Sequence, residues 1–301
     1  NYLIKAKFVD YEDKLIYLLA FDNGDILVEL EKEAKQLDEV VVEADREEEL
    51  SRAKIGKTVL TVKEMKYTPS FLGEVDLVRQ VQNLPGVTTV GEAATGFNVR
   101  GGSVDQNLIL YDGLPVFNSS HVFGFLTSFN PEAVENVTFY KGGVPAQFGG
   151  RVSSVLDIEA KEGDYEEWSG KAGIGMITSN VSVSGPIKEG ETSISASLRS
   201  TYSNWLARSV RTDYADLRES NVFFYDGTVK VTHKFNEDNK LSFTGYSSHD
   251  AFKLVGDTTY RWNTNLASVN YDKQYSPDFG AKFTAGISNY DYNVEDENFR
   301  T

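Results

Sequence analysis

The chain has 301 residues and a formal net charge of -15, with 25 Gly, 7 Pro and no Cys. Nucleic acid is excluded as a partner, because a phosphate backbone calls for clustered Lys and Arg and none are gathered here. The missing cysteines rule out a disulfide framework and thiolate chemistry, and no run approaches the roughly 18 apolar residues of a membrane-spanning helix.

Residues 1–33 read as short strands, Tyr2–Val9, Leu15–Phe21 and Ile26–Leu30, the last two parted by the turn Asp22-Asn23-Gly24-Asp25. No leader-like charged and apolar segment precedes Tyr2, so the sequence is expected to begin inside a longer gene product. From Glu31 to Lys66 the composition turns to Glu, Lys and Asp, with one apolar run at Leu37–Ala44 and a charge block at Asp45–Glu49. A flexible linker is the simplest account. Between 67 and 160, Gly pairs alternate with β-branched runs. Leu77, Val78, Val81 and Leu84 fall at helical spacing within Asp76–Leu84, ended by Pro85-Gly86. Pro131–Glu135 predicts a second short helix with Asn130 as its N-cap. Strands Asn107–Tyr111 and Val137–Tyr140 complete a compact α+β unit.

After Trp168 the pattern becomes apolar-polar alternation, as in Ser193-Ile194-Ser195-Ala196-Ser197-Leu198-Arg199. Seven segments follow it: about 168–177, 180–187, 191–203, 222–235, 240–250, 258–275 and 278–290. Their connections alternate between short and long, the habit of outer-membrane barrels, and this order has the first strand rising from the periplasm. Two architectures fit the alternation, a β-barrel in lipid and a soluble β-sandwich. Trp168, Tyr202, Trp205, Tyr260, Trp262, Tyr290 and Tyr292 at strand ends fit an interfacial aromatic girdle and favour the barrel.

The stretch 71–160 resembles the plug domain of TonB-dependent receptors. The resemblance rests on Asn83-Leu84-Pro85-Gly86-Val87, Phe97-Asn98-Val99-Arg100-Gly101-Gly102 and Asn107–Val116, then Asn136–Gly143 and Pro145–Ile158, five motifs in the family's order. Asp38-Glu39-Val40-Val41-Val42-Glu43-Ala44 resembles the TonB box, and the residues before it resemble the end of a carboxypeptidase-regulatory-like β-sandwich. The implied organisation is 1–36 as the remnant of that sandwich, 37–66 as TonB box and linker, 67–163 as the plug, and 164–301 as the first strands of the barrel. The implied fold class is an α+β plug inside a transmembrane antiparallel β-barrel. About 22 strands make such a barrel, and seven cannot close one. The long Gly-rich segment that marks the glycan-importing, SusC-like members is absent after Pro85-Gly86.

The resemblance implies TonB-dependent import of a nutrient across the outer membrane of a Gram-negative bacterium. Its implied partners are TonB with ExbB/ExbD, outer-membrane lipid, the nutrient and, in this branch, a surface lipoprotein. A plug-containing outer-membrane protein with a structural or signalling role is the alternative. The β-branched run Val40–Val42, in charged surroundings, suits strand addition to a partner's sheet edge; an ordinary linker is the plainer reading of those seven residues alone. Arg100 and Arg151 are candidates for ion pairs seating the plug, or solvated charges of little consequence. Asn118, His121 and Phe123 lie in a plug loop expected either to face substrate or to serve a structural purpose. No nucleophile with a base, no cofactor fingerprint and no metal-ligand spacing was found, so neither an enzyme nor a metal site is expected.

Overall fold

The computed structural model describes residues 2–6, 14–18, 28–29, 56–65, 75–89, 96–202, 221–253 and 258–296. The chain forms two compact units, Asn1–Glu49 and Leu50–Thr301. In the first, β1 (Tyr2–Ala6) and β2 (Lys14–Leu18) pair antiparallel. Val28 and Glu29, the described part of the third strand expected there, are not in a strand.

The second unit opens with β3 (Lys57–Thr61) and α1 (Val62–Met65), inside the stretch expected to be linker. Local composition could not announce β3, because Thr58–Thr61 is short and its stability comes from pairing with a distant strand. Next come α2 (Leu77–Gln82), β4 (Val87–Thr89), β5 (Phe97–Val99), β6 (Asn107–Tyr111) and β7 (Leu114–Pro115). Then β8 (Ser120–His121), β9 (Leu126–Thr127), β10 (Val134–Tyr140) and β11 (Ser154–Ala160) complete the plug. Its sheet runs β3-β10-β11-β6-β7, with β11 and β6 parallel and the other pairs antiparallel.

The predicted helix at Asp76–Leu84 is α2. It buries Leu77, Val78 and Val81, and the Asp76 carboxylate accepts a hydrogen bond from the Arg79 N–H at 3.0 Å, satisfying a donor that the helix itself leaves unpaired. The second predicted helix shrinks to one 3-10 turn, Pro131–Ala133, although Asn130 does cap it. Val134 already belongs to β10, since Val134, Val137 and Phe139 are buried by the sheet at a depth that a short helix would not give them. Phe97 meets Phe139 edge-on, with ring centroids 5.6 Å apart, at the centre of this core.

The strands after Trp168 are β12 (Ser169–Ile174), β13 (Thr178–Lys188), β14 (Thr192–Thr201), β15 (Asn221–Asn236), β16 (Asn239–Lys253), β17 (Thr258–Ser276) and β18 (Phe279–Asp296). They form one seven-stranded antiparallel sheet in sequence order, an open wall that matches the seven alternating segments. The register slips once beside the β13–β14, β15–β16 and β17–β18 turns, at Pro186/Lys188, Lys234/Asn236 and Gln274/Ser276.

Burial of the wall is inverted relative to a soluble protein. Ser193, Ser195, Ser197 and Arg199 of β14, Asp226, Thr228, Lys230 and Thr232 of β15, and Ser242, Thr244 and Asp250 of β16 are buried. On the opposite face Val183, Leu198, Val229, Phe243, Val269 and Ile287 are exposed. A β-sandwich with a dry interior would show the reverse, so the sandwich reading fails. Exposed aromatics edge this apolar face: Trp168, Phe235, Tyr275 and Phe279 near the short turns, and Tyr202 and Phe223 toward the other end. Ten residues of β15 part Phe235 from Tyr225, which at about 3.3 Å each and a tilt near 45° makes a band about 23 Å tall, close to the roughly 25 Å expected in an outer membrane. The exposed pair Ser247–Asn265, hydrogen-bonded at 2.8 Å, marks where the band gives way on β16 and β17. Tyr260, Trp262, Tyr290 and Tyr292 depart from the expected girdle: their register sets them on the plug-facing side of the wall, where Trp262 is 4% exposed beside Thr264 and Leu266 and Tyr290 meets the Phe117 ring. Trp205 lies outside the described residues.

Val229 sits near the middle of the band. Val229→Arg is therefore expected to cost about 2–4 kcal/mol of folding free energy into lipid vesicles, measured by denaturant titration; a cost below about 1 kcal/mol would mean that this face does not contact hydrocarbon.

Candidate functional site

The polar face of the wall meets the plug at two buried anchors. The first is the turn Tyr111-Asp112-Gly113-Leu114 between β6 and β7. Asp112 and Gly113 both hold positive φ, 49° and 86°, as the central pair of a tight hairpin does. An Asp-Gly pair between two apolar runs is itself a hairpin signal in the sequence. The turn aims Asp112 at the wall. Its Oδ1 accepts from Lys230 Nζ at 3.1 Å and from the Ala160 N–H at 3.2 Å, while the Thr244 hydroxyl donates to Oδ2. Lys230 also donates to the Ala160 carbonyl at 2.9 Å, and Asn270 Nδ2 to the Asp112 carbonyl at 3.3 Å. A Cβ on Gly113 would stand 3.0 Å from Thr284 Cγ2, so the closeness of this approach depends on glycine. Beside it the Tyr111 and Thr228 hydroxyls lie 3.0 Å apart, and the Tyr111 ring stacks on Phe129.

The second anchor is the segment 118–129. His121 is fully buried, its ring stacked 4.2 Å from Phe224. Nδ1 lies 2.8 Å from Asp250 Oδ2 and Nε2 lies 3.2 Å from Asp226 Oδ2. Arg199, directly across from Asp226 in the β14–β15 register, donates Nε to the same Asp226 oxygen at 2.7 Å and Nη2 to the Thr127 carbonyl at 2.6 Å. The Val122 N–H donates to Asp250 Oδ1 at 3.2 Å, and the Tyr246 hydroxyl to the Ser128 carbonyl at 2.9 Å. Burial opposes charge on His121, but the fields and hydrogen bonds of Asp250 and Asp226 prevail and raise its pKa above the ordinary histidine value. Two outer pairs, Glu132–Lys171 at 2.8 Å and Glu162–Lys240 at 2.5 Å, are more exposed and contribute little.

The predicted site residues fare differently. Arg100 and Arg151 are not brought to the wall: both are exposed, and neither has an ion pair among the described residues. Arg100 instead lies over Gly142, whose Cβ would come 2.7 Å from its Nη1. Arg151 lines an open hollow of about 630 Å³ on the plug with Asn98, Asp105, Phe117 and Asn118. His121 is closed off from any substrate outside, because its two aspartate partners enclose it against the strands. Asn118 is half-buried; its Oδ1 accepts from the Ser120 N–H at 3.3 Å. Phe123 falls in the 3-10 turn Val122–Gly124, and its side chain lies outside the described residues, as does the whole of Asp38–Ala44. Asp112, Arg199, Asp226, Lys230 and Asp250 were missed. Their signal was charge at positions that the alternation assigns to the polar face.

Residues 55–154 match the family model described as the TonB-dependent Receptor Plug Domain. That stretch is a plug domain of the TonB-dependent receptor kind. Solved structures with the same fold include the siderophore receptor PirA from Acinetobacter baumannii (18% identity, TM-score 0.59, covering 81% of this chain and 41% of that one) and PirA from Pseudomonas aeruginosa (19%, 0.55, 79% and 43%). The copper transporter OprC is a third (14%, 0.55, 81% and 38%). This chain spans less than half the length of those receptors. No curated protein matches its sequence.

Two outcomes follow for the plug. Lys230→Met strands the Asp112 carboxylate in a buried site, so a loss of about 3–5 kcal/mol is expected in unfolding measurements, partly recovered by adding Asp112→Asn; equal losses in the single and double variants would refute the pairing. Asp157 lines a hollow of about 470 Å³ with Asp112, Glu159 and Lys282. Burial, then Glu159, pushes its pKa up to about 6 against the opposing pull of Lys282. With the folded value raised, the contribution to stability is complete below the unfolded value of 3.8 and disappears as pH rises through about 6. Asp157→Asn should therefore raise the thermal midpoint at pH 8 and leave it unchanged at pH 4; an equal effect at both would contradict the assignment.

Proposed function

We propose that this receptor imports a nutrient across the outer membrane of a Gram-negative bacterium. The plug closes the barrel, and TonB, energised with ExbB/ExbD, draws on Asp38–Ala44 to displace it. What supports this reading is the chemistry of the seat. Within the apolar core shared with the plug, the described wall contributes Tyr246 and Leu266, while most of its buried face is Ser, Thr and paired charge. Hydroxyls and amides that leave such an interface exchange one hydrogen bond for another to water, at a small net cost, so a stopper seated this way fits closely and is removable. An interface of continuous apolar packing would resist displacement in proportion to its area. Neighbours named as siderophore receptors and as a copper transporter support the nutrient class.

The test begins with a strain lacking the receptor, screened for growth on defined iron chelates, cobalamin, peptides and glycans. Complementation by the receptor without Asp38–Ala44 is expected to leave uptake of the identified nutrient at the level of the deletion strain, with receptor abundance in the outer membrane unchanged. Undiminished uptake would remove TonB from the account, and no nutrient phenotype at all would favour a structural or signalling role.

A further inference from the structure

The second anchor holds one removable proton. Both ring nitrogens of His121 face carboxylate oxygens, on Asp250 and on Asp226. A neutral imidazole has one donor and one acceptor nitrogen, so against two ionised carboxylates one of its lone pairs would oppose an oxygen lone pair inside a fully buried site. The imidazolium donates at both. Charge counting among the described residues agrees: Arg199 and a protonated His121 balance Asp226 and Asp250, and removing the proton takes one positive charge from a site out of reach of water. Oδ1 of Asp226 has no hydrogen-bond partner among the described residues, which leaves that carboxylate dependent on its two cations. Among the described residues, the other titratable groups nearby supply no positive charge: Asp76 of the plug lies within the field of Arg199, and Tyr111, Tyr246 and Tyr290 are phenols.

We propose that His121 is a proton-operated latch, tying the segment 118–129 to β14, β15 and β16 as the imidazolium and freeing that segment when its proton passes to solvent. Apart from the Tyr246 hydroxyl on the Ser128 carbonyl, the polar ties of this segment to the strands converge on the same four side chains, since Val122 N–H ends on Asp250 and the Thr127 carbonyl on Arg199. Loss of one charge therefore loosens them together. Val122 adds to the release, being a β-branched residue held at φ 50°, a conformation that persists where surroundings enforce it. The first anchor shares none of these groups, so the turn at Asp112 stays seated. A bound histidine with a raised pKa contributes its docking energy fully below the free value and loses it as pH rises through the docked one.

Amide hydrogen exchange of the full-length receptor in micelles, between pH 6 and pH 10 and corrected for intrinsic rates, tests the latch. Protection of 118–129 is expected to fall by about tenfold per pH unit through the titration, while 107–115 keeps its protection. In Asp250→Asn the amide can donate to a neutral imidazole and still accept from Val122, so protection should stay high and flat. In His121→Gln it should be low and flat. A flat wild-type profile, or a fall that survives in Asp250→Asn, overturns the proposal. Neither result depends on transport, so the latch can fail while the import reading stands.

Discussion

Everything in this molecule follows from the polarity of one sheet. The wall turns Ser, Thr, Asn and charged side chains toward the plug and Val, Leu, Ile and Phe away from it. In water that order would leave large apolar side chains solvated and polar ones desolvated; beside lipid it is the stable arrangement. The plug exists in the same economy of hydrogen bonds, because each inward donor or acceptor that is closed off from water needs a partner, and the plug's carbonyls, carboxylates and hydroxyls provide them.

The two anchors divide the work of seating. Each uses a backbone that few residues adopt, the Asp112-Gly113 pair at one and Val122 at the other, to present a side chain or N–H to the strands. Buried ion pairs of this kind give modest net stability, since desolvation consumes most of the attraction, but they penalise any shifted docking severely by leaving a charge unpaired. The plug is thus registered more strongly than it is bound. Where the pairs are exposed, at Glu132–Lys171 and Glu162–Lys240, that selectivity is lost to solvent.

How much of this could be read from the residues depended on range. The seven wall strands and α2 were legible because period-two and period-3.6 patterns are local. The strand β3 was not, because five residues in a charged stretch become a strand through pairing with β10, far along the chain. Pro131–Glu135 carried helix-start chemistry that was correct for one turn and then lost to sheet burial. The anchors were least legible: Asp112 and Lys230 are 118 residues apart, His121 and Asp250 129. Arg100 and Arg151 drew attention by lying in recognisable motifs, while the charges on the inward strand positions went unnoticed. Within an alternating strand, a charge on the polar face was the better guide to the seat.

A nitroxide scan along β15, one label at a time from Phe223 to Thr232 in the receptor reconstituted in lipid, tests the central claim most directly. Labels at 223, 225, 227, 229 and 231 should be mobile and accessible to dissolved oxygen, and those at 224, 226, 228, 230 and 232 immobile and shielded from both oxygen and a polar nickel chelate. A scan without this alternation, or one in which the even positions meet the lipid, would contradict the account.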